Sequence, residues 1–350
     1  MSIKLPEISV IIVGDDTHKY LDSCLASIRH QTIYDKNDIE VIYLDNASFD
    51  GSILEIQRNY RWVSTVRNTK KMSIPAAINQ ALRYTSGDFV LILNPDVTIE
   101  PDYLEKAIKK MKGDPQIAAL GGKIYQYDFN LSKKTGTFDS VGIFAMVDRE
   151  ILSARGVEDM GQFEDEQDIL SVRNICGFYR RRALEDARVY DEYFDEEFEF
   201  FLADIDMCWR LHLLAWRVCF VPDLVAYRAT HLKQITGKTA YKQRERRSFI
   251  KNDRLMLLKN EFALTMIFDF FTIAKKRLTK KSFLREGWIW GWFIYVKQIP
   301  MALKKRRFIQ KHRRITRLEM KRWFIKKNGL RYNYYKSKSL EIYAKYPPVY

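Results

Sequence analysis

The chain has no CxxC pair among its four cysteines (Cys24, Cys176, Cys208, Cys219), no G-x-G-x-x-G after its first strand-like run and no G-x-x-x-x-G-K-[ST] anywhere. The first absence leaves no spacing suited to zinc or to a redox dithiol, and the four cysteines read as reduced core residues of a cytoplasmic protein. The other two absences remove the usual glycine-rich phosphate cradles. A nucleotide bound here has to be held by acids and a cation instead. No signal peptide is visible, because MSIKLPEISVIIV lacks a long apolar core and a small-residue cleavage site. Long apolar runs are missing too: FALTMIFDFFTIA is broken by Asp269, and GWIWGWFIYVKQIPMAL by Lys297 and Pro300. Neither supplies the roughly 20 clean apolar residues of a spanning helix.

What is present is a large core and an uneven charge. Of 350 residues, 47% are hydrophobic, enough for more than one minimal domain. Net charge is +15, with the excess after about position 240 in YKQRERR, IAKKRLTKK, LKKRRFIQKHRRITR and MKRWFIKK. A basic tail on a balanced body points to a polyanionic surface, either nucleic acid or anionic membrane.

Along the first third, strand-like and helical patterns alternate. ISVIIV suits a strand buried on both faces. KYLDSCLASIRHQ puts Leu21, Cys24, Leu25 and Ile28 at helical spacing. IEVIYLDN is a second strand ending on Asp45-Asn46, ASFDGS is turn chemistry, ILEIQRNY is helical, and WVSTVRN is a short strand. Ser73 and Pro75 open a helix through AAINQALRYT, the serine as N-cap and the proline in the first turn. FVLIL, the helix DYLEKAIKKMK after Pro101, and the strand IAALGGKIY follow. This alternation predicts an α/β fold with a parallel sheet. Such sheets bind ligands beyond the carboxyl ends of their strands, where the strand order switches. Asp15-Asp16, Asp45-Asn46 and Asn94-Asp96 all lie just past strand ends. The stretch VLILNPDVTIE therefore reads as a buried strand that delivers Asp96 to an acid-lined crevice.

Two carboxylate clusters carry chemistry. A strand-end carboxylate such as Asp96 can hold Mg²⁺ or Mn²⁺, which bind through one or two carboxylates plus substrate phosphates. The second cluster, FDEEFEFFLADIDMCWRLHLLAWRVCFVPD, threads acids between aromatics. Met207, Leu211, Leu214 and Ala215 recur at helical spacing, so Asp204 stands near a helix N-terminus, where the dipole favours an anion. The spacing alone serves a helix cap equally well.

Over roughly residues 7 to 232 the chain resembles the family 2 glycosyltransferases, and within them the bacterial rhamnosyltransferases that build cell-surface polysaccharide. ISVIIVGDD, YLDSCLASIRHQT, VIYLDNASFDGS, GDFVLILNPDV, ICGFYRRRAL and FDEEFEFFLADIDMCWRLHLLAWRVCFVP match family motifs in order. The resemblance implies the A-type nucleotide-diphospho-sugar fold, a Rossmann-like, mostly parallel sheet, over residues 1–235. A helical, basic, membrane-associating extension then covers 236–350. It implies an inverting enzyme that uses a nucleotide-diphospho-sugar donor and a polyprenyl-linked glycan acceptor. Asp45 would hydrogen-bond the donor's base, with Asp15, Asp16 and Asn46 nearby. Asp96 would bind the divalent cation, Mg²⁺ or Mn²⁺, that bridges the donor diphosphate. Asp204 would be the general base. Arg210 would hold Asp204 or Asp206, and Arg180, Arg181 or Arg182 would meet phosphates.

The chain departs from the family pattern in three places, one being the first turn, Gly14-Asp15-Asp16, which is more acidic than usual. Ala203-Asp204 replaces the usual Glu-Asp. Where the family often has a metal- or phosphate-binding histidine, Arg228 aligns without gaps and His231 follows three residues later. Either His231 serves at the diphosphate, or Arg228 supplies a fixed positive charge there.

In the tail, Trp, Phe and Tyr beside Lys and Arg suit a membrane interface, with aromatic rings at headgroup level and basic groups on anionic lipid. The expected location is the inner face of the cell membrane. A solvated helical bundle or a homodimer interface has the same pattern. The donor is expected to be dTDP-rhamnose, with a UDP-hexose or UDP-aminosugar as alternative. The rival from another class is a nucleic-acid-binding protein, although no recognised module is present and acidic strand ends would repel a phosphate backbone. A sugar nucleotidyltransferase would need a Gly-rich, Arg-containing first loop, which IIVGDDTHKY does not supply.

Overall fold

The computed structural model describes residues 6–34, 39–129, 131–149, 151–199, 201–230, 239–266, 288–326 and 341–342. The chain opens with β1 (Ile8–Gly14), α1 (Leu21–Arg29), β2 (Ile39–Asp45), α2 (Ser52–Asn59), β3 (Ser64–Arg67), α3 (Ile74–Leu82) and β4 (Phe89–Leu93). Then come β5 (Val97–Ile99), α4 (Tyr103–Gly113), β6 (Ile117–Asp128), β7 (Lys133–Ser140), β8 (Phe144–Met146), β9 (Ile151–Ser153), β10 (Gln167–Asp168) and β11 (Cys176–Arg180). They are followed by α5 (Arg181–Asp186), α6 (Ala203–Leu213), β12 (Arg217–Thr230) and α7 (Thr239–Asn260). The C-terminal part supplies α8 (Trp288–His312), α9 (Arg317–Lys321), β13 (Phe324–Ile325) and β14 (Glu341–Ile342).

The elements of the first third lie where periodicity and turn chemistry predict. Ser73 caps α3, its hydroxyl accepting from the Ala76 N–H at 3.3 Å, with Pro75 in the first turn. The main sheet runs β10-β12-β6-β11-β4-β1-β2-β3, with β5 on β12 and β7 on β6. It is mixed rather than mostly parallel. β3, β2, β1, β4, β6 and β12 point one way, and β11 is inserted antiparallel between β4 and β6. The reason is local: α5 follows β11 with no intervening residue, and β11 enters from the edge where β4 ends. The strand order reverses between β1 and β4, which makes the crevice beyond their carboxyl ends the ligand-binding switch point.

Side chains alternate across the sheet, and each face buries its own layer. Ile8, Val10 and Ile12 of β1 pack with α1 and α4, whereas Ile11 packs with α3. Each such side chain, fully buried, contributes about 1.5–3 kcal/mol. All four cysteines are free and buried. Burial pushes the Cys176 thiol up to about 12 and the Cys208 thiol up to about 11, so neither is a nucleophile at neutral pH.

The described residues after 238 do not form a detached bundle. A third apolar layer joins Leu255, Phe262 and Ile309 to Phe201, Ile205 and Trp209. β13 and β14 extend β8 and β9 into a second, four-stranded sheet. Buried charge crosses the same boundary: Asp195 binds the ammonium groups of Lys259 and Lys305. Burial alone would raise the Asp195 pKa, but the two ammonium groups outweigh it and hold its carboxyl well below the usual carboxylate range. The expected domain boundary near 235 falls in residues 231–238, which include His231 and lie outside the described residues; the run IAKKRLTKK lies outside them as well.

One glycine fixes how β12 reaches the crevice. Between Phe220 and Val225 the pairing of β12 with β6 slips, so that Val221–Leu224 bulge out opposite Gly122. A Cβ on Gly122 would lie 1.8 Å from the Leu224 carbonyl oxygen. Gly122→Ala is expected to lower stability by about 1–3 kcal/mol, as overpacking does. Urea titration would show it as a lower midpoint at unchanged slope, and an unchanged midpoint would mean the bulge yields freely.

Candidate active site

Strand direction collects the acids at one edge. Gly14 and Asp45 are register partners at the ends of β1 and β2, and Leu93 pairs with Ile12 at the end of β4. A side chain at Gly14 would collide with the Tyr43 ring, its Cβ falling 1.8 Å from the hydroxyl, so only glycine opens the first turn. Asp16 follows in the left-handed region at φ 52°. Its carboxylate accepts from the Phe49 N–H at 3.1 Å, and its own N–H donates to Ser48 Oγ at 3.2 Å, tying the two loops together. Asp15 is paired with Lys71 at 2.7 Å.

Asp45 is fully buried at this edge. Oδ1 accepts from the Ser48 N–H at 3.1 Å, while Oδ2 lies 3.3 Å from Nε of the largely exposed Arg67. Asn46 is committed elsewhere. Its amide donates to the Met72 carbonyl and accepts from the Met72 N–H, each at 3.0 Å, which pins the following loop. The expectation that Asn46 meets the donor is corrected on that ground.

Asp96 is gripped from one side only. Oδ2 accepts from Arg228 Nε at 2.9 Å, and Oδ1 is buried with no hydrogen-bond partner. Arg228 stands on β12 opposite Val97, and its guanidinium also reaches Asp139 at 3.5 Å. Asp139 is itself paired with Arg155 at 3.2 Å. Burial works against the Arg228 charge, but Asp96 and Asp139 outweigh it and raise its pKa further. Only 4% exposed, Arg228 is not a surface for phosphate; it holds Asp96. Among the described residues no group of three or more His, Cys, Asp or Glu side chains is placed to cage a metal. The orphaned Asp96 oxygen fits the other arrangement, in which one carboxylate and donor phosphates share the cation with water.

Asp204 reaches the same edge by a different route. The Asn94 N–H donates to the Ile175 carbonyl at 2.9 Å, which brings the segment before β11 beside the end of β4. Arg173, on that segment, lies 3.7 Å from Asp204 Oδ2. Asp204 sits in the first turn of α6, where its Oδ1 accepts from the Ile205 N–H at 2.9 Å. Burial raises the Asp204 pKa, and Arg173 and the backbone N–H groups offset this only in part. It is therefore a stronger base than an exposed aspartate. Sequence reading missed Arg173; a lone arginine in DILSVRNICG carries no signal of its own.

The other expected supports serve the scaffold. Asp206 is completely buried and binds Arg210 at 3.2 Å, Lys259 at 2.9 Å and the Asn260 amide at 2.7 Å. Arg210 thus holds Asp206, not Asp204, and also donates to the Ala187 and Tyr193 carbonyls. The i,i+4 spacing of Asp206 and Arg210 was the available signal. Arg180 stands at the opposite edge. β11 runs antiparallel, so Arg180 pairs with Phe89 at the start of β4, and its guanidinium binds the Met111 and Asp114 carbonyls at 2.7 and 3.1 Å. Arg181 is spent there too, on Ser9 and Thr85. A donor-phosphate role for Arg180 is corrected by that reversal.

Comparison with known proteins bears on family and fold. The chain is 29% identical over 119 residues to chondroitin synthase of Escherichia coli, covering 33% of this chain and 17% of that protein. It is 22% identical over 189 residues to poly-beta-1,6-N-acetyl-D-glucosamine synthase of Staphylococcus aureus, covering 52% and 41%. The matched stretch is thus less than half the length of either relative. Among solved structures, a mannosyltransferase from Pyrobaculum calidifontis, in complex with GDP-Man and Mn²⁺, superposes with a TM-score of 0.53 at 16% identity, over 88% of this chain and 84% of that one. At that identity the likeness establishes the fold, the glycosyltransferase A-type α/β fold with a mixed sheet. The model of the family described as glycosyl transferase family 2 matches residues 9–188, taking in β1 to α5 with Asp45 and Asp96, and the chain belongs to that family.

Proposed function

We propose that the protein is an inverting glycosyltransferase that moves a sugar from a nucleotide-diphospho-sugar to a hydroxyl of a lipid-linked glycan in cell-surface polysaccharide synthesis. The observation that carries this reading is Asp204, a buried carboxylate with a raised pKa, brought by Arg173 to the edge that bears Asp45 and Asp96. The acceptor oxygen attacks the anomeric carbon from the face opposite the nucleotide. As that bond forms, the bond from the anomeric carbon to the diphosphate oxygen breaks, and its electron pair leaves with the nucleoside diphosphate. Asp204 takes the acceptor proton. Asp45 would receive the donor's base in the position that the largely exposed Arg67 covers. Asp96 would hold Mg²⁺ or Mn²⁺ through Oδ1, while Arg228 fixes its other oxygen. The bound cation would supply Lewis-acid stabilisation of charge on the leaving diphosphate.

Rhamnose from dTDP-rhamnose is the proposed donor, on the likeness of Leu93–Asp96 to the rhamnosyltransferase motif. UDP-hexoses and UDP-aminosugars are the alternative. The two polysaccharide-building relatives support a glycan acceptor. A peripheral seat on anionic lipid is supported by the outward side of α8. There Val296, Met301 and Leu303, each nearly half exposed, share one helical face with the exposed Lys297, Lys304 and Arg307. No helix among the described residues is long and apolar enough to cross a membrane.

Asp204→Asn is expected to lower turnover at least about a hundredfold while leaving donor affinity intact, in the range general-base removal produces. In the unaltered chain kcat should rise with pH through an ionisation above the ordinary carboxylate value, because the base works deprotonated. A variant that keeps both activity and this acid limb would remove Asp204 as the base. Calorimetry with dTDP, UDP and GDP tests the cation. With Arg228 already beside Asp96, Mn²⁺ alone should bind weakly, and one nucleotide should bind more tightly with Mn²⁺ than without it. The gain should vanish in Asp96→Ala; a gain that survives would place the cation elsewhere. Flotation with phosphatidylglycerol liposomes should carry the protein at low salt and release it at high salt, since each basic residue near such a surface is worth about 1 kcal/mol. Failure to float, with retention on nucleic acid, would favour the nucleic-acid reading.

A further inference from the structure

Between α5 and α6 the chain makes an irregular excursion, and Asp204 follows it as the second residue of α6. It contains little regular backbone pairing of its own. Leu202, immediately before α6, sits in the left-handed region at φ 72°, a conformation that a leucine keeps only where its surroundings impose it. The groups that bind the surrounding stretch come from α7 and α8. Lys251 of α7 donates to the Glu197 carbonyl at 2.6 Å, and Asn252 donates to the Phe201 carbonyl at 2.8 Å. Two turns later, Lys259 binds Asp195 and Asp206 together, and Asn260 donates to Asp206 at 2.7 Å. Lys305 of α8 closes on Asp195 at 2.9 Å.

These contacts bracket the base. They reach residues before and after Asp204, whose own partners are Arg173 and backbone N–H groups. Lysine and asparagine side chains buried to this degree are uncommon unless paired, and here Lys251, Lys259 and Asn260 find their polar partners in one stretch of twelve residues, 195–206, while Lys305 also reaches Glu192 at 2.6 Å.

We infer that α7, with Lys305, is the positioning scaffold of the proton-accepting centre: the C-terminal helices fix the 195–206 stretch, and proton acceptance by Asp204 depends on them while nucleotide binding does not. The inference rests on the reading of Asp204 as general base. Lys259 and Asn252 are positioning residues, since they act through the stretch that carries the base. The nucleotide edge is built from β1, β2 and β4, whose buried apolar residues belong to other layers than the one that holds α7.

The test uses the full chain with Lys259→Met, Lys259→Arg and Asn252→Ala. Hydrogen exchange should speed up about tenfold or more over 195–206 in Lys259→Met, with β1 and β4 unchanged, as expected of a local opening. Activity is followed as nucleoside diphosphate released from dTDP-rhamnose, UDP-N-acetylglucosamine or GDP-mannose, whichever the unaltered chain consumes. Turnover should fall about tenfold or more at a donor KM within about twofold, the pattern of an interaction that acts only in the transition state. Lys259→Arg should recover part of the loss. If Lys259→Met does not fold, Asn252→Ala, which removes one neutral hydrogen bond, carries the same comparison with a smaller loss. A loosened stretch with full turnover, or equal losses of turnover and donor affinity, would overturn the inference while leaving Asp204 as base. Release from none of the three donors by the unaltered chain would overturn the transferase reading and the inference with it.

Discussion

Asp206 has no exposed surface, and a carboxylate in that position is tolerable only with its counter-charges in place. Arg210 provides one from the next turn of the same helix; Lys259 provides the other and Asn260 adds an amide hydrogen bond, both from a helix some fifty residues further along. Removing one partner of such a buried pair costs about 3–5 kcal/mol, because the survivor is left uncompensated. The position of α6 is thereby tied to α7, and through Lys259 and Lys305 both are tied to Asp195. The apolar layer of Phe201, Trp209, Leu255 and Ile309 is built around this node. Ion pairing specifies how these elements meet, and hydrophobic burial supplies most of the attraction.

A second electrostatic constraint acts at the crevice. Parallel strands deliver their carboxyl ends, with the acids that follow them, to one edge. The free chain balances these acids with its own cations: Lys71 on Asp15, Arg67 on Asp45 and Arg228 on Asp96. The three balances differ in kind. Arg67 and Lys71 are more than half exposed and weakly held, as surface pairs are, whereas Arg228 is buried between Asp96 and Asp139. An incoming ligand can therefore displace the first two. The third stays, and it leaves one Asp96 oxygen facing inward without a partner. That oxygen is the one through which the proposed cation would be held.

Much of this was legible in the sequence, and the reasons are local. β-branched runs, helical spacing, the Ser73–Pro75 start of α3 and the turn after Asp45 act over a few residues, and each element formed where they placed it. The parallel strand direction follows from strands that alternate with helices, and with it the placing of Asp45 and Asp96 at one edge. Partnerships across the fold were not legible. Arg173, Lys259 and Asn260 stand in stretches with no pattern of their own, and their targets lie 31 to 64 positions away. Which of two acids Arg210 holds stays open in the sequence, and the bonds of Asn46 to Met72 carry no signal there, because both depend on neighbours that only the folded chain supplies.

The sequence by itself determined the order of strands and helices, the buried character of the core and the chemical types at the strand ends, since periodicity and turn chemistry are properties of short segments. Tertiary structure decided which acid each cation neutralises, and on which edge each residue falls. Arg180 shows the physical reason. The reversal of one strand between β4 and β6 carries it from the ligand edge to the far side of the sheet, and nothing within CGFYR encodes that direction.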